Sequence, residues 1–136
     1  MRLEGKVWKD GKFWLSEMPG IDLMTQGHSR ANAVAMMVEA IELLVDRKDF
    51  DFDLLPGKGD VFSIQVPKPG PLLALMLKRQ RVKNNLSIRQ VVERMKGKYK
   101  NEYAQYEQGK SEPSLSKLQQ FLKAFDTQSD LVLKVV

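Results

Sequence analysis

With 136 residues, 43% of them hydrophobic and 29% charged, the chain has the composition of a folded globular protein, not a disordered one. It contains no cysteine, which excludes disulfides, thiol catalysis and thiolate metal sites. No apolar run approaches the roughly 20 residues of a membrane span or forms a signal-peptide core, so a cytoplasmic protein is the expectation. The net charge of +5 is unevenly spread. Residues 1–70 carry 9 Lys and Arg against 11 Asp and Glu, a net of −2, whereas residues 71–136 carry 13 against 6, a net of +7. Positive charge gathered in one half points to a polyanion partner for that half.

In chain order, Arg2–Trp8 alternates, with Leu3 and Val7 to one side and Glu4 and Lys6 to the other. Asp10-Gly11 is a hairpin-turn signal, after which Phe13–Glu17 resumes extended character. Met18-Pro19-Gly20 breaks that strand, and Ile21–Gln26 alternates again, predicting a three-stranded antiparallel sheet. Ser29 is placed to cap a helix running to about Asp46. Its apolar stripe, Val34, Met37, Val38, Ile41, Leu44 and Val45, reads as a core face laid on the sheet. Residues 46–60 hold Asp46, Asp49, Asp51, Asp53 and Asp60 around Pro56-Gly57; no ligand register for a hard cation is recognisable, and a solvated loop is expected. Val61–Val66 reads as a fourth strand, and Pro67-Lys68-Pro69-Gly70-Pro71 as a stiff spacer. The expectation is an α+β chain with a small antiparallel sheet and one packed helix over residues 1–66, a linker over 67–71 and a helical domain over 72–136.

In the second half, Leu72–Val82 predicts a helix with Leu73, Met76 and Leu77 on its apolar face. Ser87 and Gln90 have capping-box spacing, so a second helix begins at Ile88, turns Val91, Val92 and Met95 inward and stops at Gly97. A third helix is expected over about Lys100–Gln108 and a fourth over Leu115–Phe125, after Pro113-Ser114. Leu86-Ser87, the short second helix, Tyr106-Glu107-x-Gly109-Lys110 and Pro113-Ser114-Leu115 together resemble the Xre/Cro-like helix-turn-helix family of phage-type repressors. The resemblance implies that the third helix enters the major groove of DNA and offers Lys100, Asn101, Glu102 and Gln105 to base edges, with Tyr103 turned inward. Lys78, Arg79, Arg81, Lys83, Arg89, Lys96, Lys98 and Lys110 are the candidates for phosphate contacts. Two features depart from the family pattern. The turn Lys96-Gly97-Lys98-Tyr99 is one residue longer than usual, shifting the third helix by about one position, and Ile88 stands where a polar residue often opens the second helix.

The order and spacing of Gly11, Phe13, Pro19-Gly20, Gln26-Gly27, Ala33 and Glu39-Ala40 resemble the HicB antitoxin family. That resemblance implies a degenerate RNase H-like first domain of ββαβ type that binds and blocks a HicA toxin, a small basic mRNA-cleaving protein. Trp8 and Trp14, on the outer face of the hairpin, are the toxin-contact candidates. The second domain would repress its own operon as a homodimer, joined through a C-terminal strand bearing Leu131, Leu133 and Val135. Its two recognition helices would then lie roughly 34–36 Å apart, one turn of DNA. The alternative is a stand-alone repressor whose sheet domain dimerises or senses a ligand. Catalysis is not expected, nor is a cofactor or metal: the strands offer only Glu4, Glu17 and Asp22 as acids, and His28 is the sole histidine.

Overall fold

Strands β1 (Arg2–Asp10) and β2 (Phe13–Met18) pair as an antiparallel hairpin whose last pair is Asp10 with Phe13, so Gly11 and Lys12 close the turn. Gly11 sits at φ +60°, the left-handed region that this tight closure needs. The computed structural model describes residues 1–136. Pro19–Ile21 forms a single 3-10 turn and buries Ile21. Asp22 follows at φ 47°, which no ladder residue adopts, so β3 (Leu23–Gly27) starts two residues later than the alternation from Ile21 predicted.

Helix α1 (Arg30–Val45) begins where Ser29 accepts a hydrogen bond from the Asn32 amide and ends at Asp46, again left-handed at φ 48°. Ala33, Val34, Met37 and Ile41 are its buried residues, while Leu44 is exposed, so the covered stripe is narrower than the sequence suggests. The acidic segment after α1 is not all loop. Asp53–Pro56 forms β4, paired antiparallel with β5 (Val61–Gln65) through Leu54–Ile64 and Pro56–Phe62. Four residues with a single Leu-Leu step show no readable period, and only the ladder offered by β5 makes them a strand.

The sheet therefore has five strands, not four, in the order β3-β2-β1-β5-β4, antiparallel throughout, with the chain running βββαββ. Cross-strand partners share a face, so Val7, Ser16 and Thr25 lie on one side, as do Trp14 and Gly27. Helix α1 covers that side. The Thr25 hydroxyl donates to the Ala33 carbonyl at 3.0 Å, and a Cβ on Gly27 would stand 2.4 Å from the Ala33 nitrogen. Trp8, opposite Leu15, belongs to the other face, so Trp8 and Trp14 do not share an outer surface as expected. The six residues from Trp8 to Trp14 are an even step, which would keep one face within a single strand, but the two-residue turn between them inverts the parity.

The chain divides into two compact units, Met1–Leu72 and Leu73–Val136. The division falls within α2 (Gly70–Lys83), whose first turn takes in Gly70 and Pro71 of the proline-rich segment. Proline fits there because a first-turn amide has no intrahelical acceptor. The second unit adds α3 (Ile88–Arg94), α4 (Tyr103–Glu107) and α5 (Leu115–Phe125). Leu77, Leu86, Val91, Tyr103, Tyr106, Leu118, Phe121, Leu122 and Phe125 make its core. Phe121 is the hub, with the rings of Tyr103, Tyr99 and Tyr106 centred 4.9, 5.5 and 5.8 Å away. Beyond α5 the chain forms no strand: Leu131 packs against the helical core, while Leu133 and Val135 are exposed. A strand needs a ladder, and this unit contains no sheet to extend. No helix is long and apolar enough to cross a membrane.

Candidate nucleic-acid interface

Helix α3 is set by a complete capping box. Ser87 Oγ accepts from the Gln90 amide at 3.1 Å and the Gln90 side chain accepts from the Ser87 amide at 2.8 Å. The segment leaving α3 reverses sharply through three left-handed residues, Lys96 (φ 56°), Gly97 (φ 76°) and Tyr99 (φ 61°). Only one of them is glycine, and its amide closes the helix by donating to the Val92 carbonyl at 3.0 Å. The longer turn uses up residues that the sequence assigned to the next helix. Helix α4 begins at Tyr103, three residues later than expected, with Glu102 as its N-cap and Gln108 as its C-cap.

Lys100 and Asn101 accordingly lie in the turn before α4, both exposed, and Gln105 is the exposed position on α4 itself. Tyr103 and Tyr106 face the core, as their spacing predicts. Glu102, the fourth base-contact candidate, is exposed but engaged within the domain. Its Oε2 accepts from Lys117 Nζ at 3.1 Å and from the Tyr106 hydroxyl at 3.3 Å. Lys117 Nζ also lies 3.1 Å from the Tyr106 hydroxyl and 4.8 Å from the centre of the Tyr99 ring. These hydrogen bonds, first with Tyr106 and then with Glu102, raise the Lys117 pKa and keep the ammonium charged. Nothing at the sequence level marks Lys117, since its partners lie 11 and 15 residues away.

One phosphate candidate is a structural residue. Arg81 on α2 donates through Nε and Nη2 to the two Glu107 oxygens at 2.7 and 2.9 Å, and through Nη1 to the Leu86 carbonyl at 2.7 Å. Its side chain is 13% exposed and that of Glu107 6%, so this guanidinium is committed to tying α2 to the end of α4. The hydrogen bond with Glu107 raises the Arg81 pKa against the burial that opposes it. Tyr103 lies beside the pair. Its phenol is pushed far above the ordinary value by burial first and by Glu107 second. A pair 26 residues apart leaves no local trace in the sequence, where Arg81 looks like any other basic residue of a basic helix.

Lys78, Lys83, Lys96, Lys98 and Lys110 are exposed, and Arg79 is half-buried. Arg89 is exposed and paired with Glu93 one turn on, at 3.3 Å. Ile88 is exposed at the start of α3, beside Arg89. The result is a scaffold held by α2, α5 and the Arg81–Glu107 pair, presenting the short α4 and the turn before it.

Residues 77–132 match the model of the Helix-turn-helix family. This stretch is a helix-turn-helix domain of the Xre/Cro-like type, and it runs from the middle of α2 to the tail behind α5. No curated protein and no solved structure matches the chain.

Proposed function

We propose that this protein is a DNA-binding transcriptional regulator that reads duplex DNA with α4 and the turn before it. One observation carries the reading: a helix-turn-helix domain, in the half of the chain with a net charge of +7, that leaves Lys100, Asn101 and Gln105 exposed while Tyr103 and Tyr106 hold α4 from behind. Gln and Asn offer the donor and acceptor that match adenine's major-groove edge, and Lys donates to guanine or phosphate. Lys78, Lys83 and Lys110 supply sequence-independent attraction to the backbone. Binding as a homodimer would double the contacts, with Leu133 and Val135 of the apolar tail pairing across the two-fold axis; a tail deletion that still sediments as a dimer would remove that part of the reading.

The test is fluorescence anisotropy on the gene's own promoter and on a random duplex. Lys100→Ala and Gln105→Ala should each cost roughly 1–3 kcal/mol on the specific site and little on random DNA. Lys78→Ala and Lys83→Ala should weaken both duplexes alike and flatten the salt dependence. Equal losses on both duplexes from the first pair would move the base-reading residues elsewhere.

A narrower reading makes the regulator an antitoxin. The HicB resemblance and the net −2 of residues 1–70 favour a small basic toxin of HicA type as partner of the sheet unit. The face of the sheet opposite α1, where Trp8 stands across from Leu15, is the surface for it. A pull-down from the native host at about 0.5 M salt, where loose charge pairing is screened, should recover a near-stoichiometric small basic protein. Recovery of no such protein, with promoter binding intact, leaves the regulator to act alone.

A further inference from the structure

Apart from α4 and the base-edge candidates, the helical unit carries an open cleft of about 740 Å³ between α5 and the segment where α3 ends, which takes in the phosphate candidates Lys96 and Lys98. One wall is a single face of α5, Ser116, Gln120 and Lys123, spaced at i, i+4 and i+7. The other wall is Arg94, at the end of α3, with Lys96 and Lys98 of the turn. From Ser116 to Lys123 a helix rises about 10 Å, enough for a short length of nucleic-acid backbone to lie along the trough.

Four cations line this cleft and no carboxylate does. Asp130 approaches only Lys123, at 4.0 Å, a weak pair with both side chains well exposed. Arg94 is held in place: it donates to the Ala124 carbonyl at 2.8 Å and to that of Phe125 at 3.3 Å, capping α5. That contact fixes a positive charge on the cleft wall without the entropy loss that a free arginine would suffer on binding. The polar surface between the cations consists of a serine hydroxyl and glutamine amides, groups that donate to phosphate oxygens. Met95 and Ala124 are the only apolar residues lining it, too little for the buried apolar anchor that a protein partner needs.

We propose that this cleft is a second nucleic-acid contact, a sequence-independent seat for the phosphate backbone beside the stretch read by α4. It rests on the regulator reading for its duplex ligand, and it adds Arg94, Ser116, Gln120 and Lys123 to the contact surface. None of Lys100, Asn101 or Gln105 lines the cleft, so the two surfaces can be removed separately.

The test uses the full chain with two variants. Lys96→Ala/Lys123→Ala removes a cation from each wall and leaves the Arg94 cap intact; Gln120→Glu keeps every lysine and places a carboxylate in the trough. Binding to a promoter duplex and a random duplex is followed across salt concentration, together with oligothymidylate and polyglutamate. Losing two phosphate contacts should reduce the slope of log K against log salt by about 1.8 on both duplexes, with the ratio of specific to random binding unchanged. Gln120→Glu should weaken both duplexes without altering that ratio. Unchanged slopes in a chain that binds duplex DNA overturn the cleft and leave the regulator reading standing. If the wild type binds no duplex but holds oligothymidylate through the cleft residues, the regulator reading fails and the phosphate seat survives. If polyglutamate competes as well as either nucleic acid, the ligand is an acidic polypeptide and the proposal falls.

Discussion

In the sheet unit the groups that touch are far apart in sequence: β1 pairs with β5, setting Arg2 against Gln65 and Leu3 against Ile64. In the helical unit most boundaries are set within four residues. Ser87 and Gln90 start α3, Ser114 starts α5 by accepting from the Lys117 amide, and Gly97 closes α3. The Arg81–Glu107 pair, its side chains 13% and 6% exposed, is instead a remote tie between α2 and α4. A domain assembled from local signals thus also relies on remote polar contacts, this pair and the Lys117–Glu102 bridge among them, to hold the helix it presents. The chain also distinguishes the two units spectroscopically, because both tryptophans (Trp8 and Trp14) lie in the first and all three tyrosines (Tyr99, Tyr103 and Tyr106) in the second.

The harshest way to break this comparison is to remove one member of the pair. Glu107→Ala leaves the Arg81 guanidinium buried without its counter-charge and should cost about 3–5 kcal/mol. Urea unfolding followed by tyrosine absorbance should show the loss, whereas tryptophan fluorescence should barely move. Arg81→Met/Glu107→Leu, which replaces both charges by apolar groups of similar size, should recover most of it. Equal shifts in both signals would erase the distinction between the units.

Alkaline pH attacks the same place. Tyr103, Lys117 and Arg81 all have pKa values raised in the folded state, so each binds its proton more tightly when folded than when unfolded. Their contribution is complete below the unfolded values and is lost as pH climbs past them, beginning near the ordinary phenol value of about 10. The tyrosine-reported transition should therefore weaken steadily above that pH. In a spectrophotometric titration Tyr103 should ionise only as the unit unfolds. Reversible ionisation of Tyr103 with the fold intact would contradict its burial.

Glycine sharpens the contrast at a smaller scale. At Gly27 the obstacle is steric: a Cβ would meet the Ala33 nitrogen at 2.4 Å and the Ala33 Cα at 2.8 Å, both backbone atoms of α1. At Gly97 the space around the residue is open and the obstacle is its φ of +76°. Gly27→Ala should cost about 1–3 kcal/mol by pushing helix from sheet and should register in tryptophan fluorescence. Gly97→Ala should cost about 1–2 kcal/mol through backbone strain alone and register in the tyrosine signal. Asn, which tolerates the left-handed region, should recover part of the loss at Gly97 and none at Gly27.

The same contrast explains what the sequence disclosed. The caps at Ser29, Ser87 and Ser114 and the inward Tyr103 were legible because each depends on neighbours a turn away. The β1–β2 turn was legible in Asp10-Gly11, but the faces of Trp8 and Trp14 depended on which residues pair across it. Strand β4 was not legible, because Asp53-Leu54-Leu55-Pro56 becomes a strand only when β5 lies alongside. At the proposed interface, the exposure of Lys100, Asn101 and Gln105 is legible from residue type and position, whereas the sequence starts α4 three residues earlier than the structure does. The extra turn length comes from left-handed Lys96 and Tyr99, residue types that do not advertise that conformation. Arg81 reads as a surface residue because the sequence around it holds no sign of Glu107, 26 residues on.

The mildest test compares the caps of the two units. Ser87→Ala removes the oxygen that accepts from the Gln90 amide, and Ser29→Ala the one that accepts from the Asn32 amide; each should cost about 1 kcal/mol. Their second contacts differ. The Gln90 side chain accepts from the cap residue's own amide at 2.8 Å, whereas the Asn32 side chain reaches one residue further back, to the His28 amide at 3.0 Å. Asn32 therefore holds the chain between β3 and α1, next to Gly27, and Asn32→Ala loosens the approach of helix to sheet as well as a helix end. Gln90→Ala touches only the first turn of α3, at an exposed position, and should cost a few tenths of a kcal/mol. If denaturant midpoints show Asn32→Ala the costlier of the two, a cap in the sheet unit also positions a tertiary contact. Equal costs would mean that the Gly27–Ala33 approach holds that junction without it.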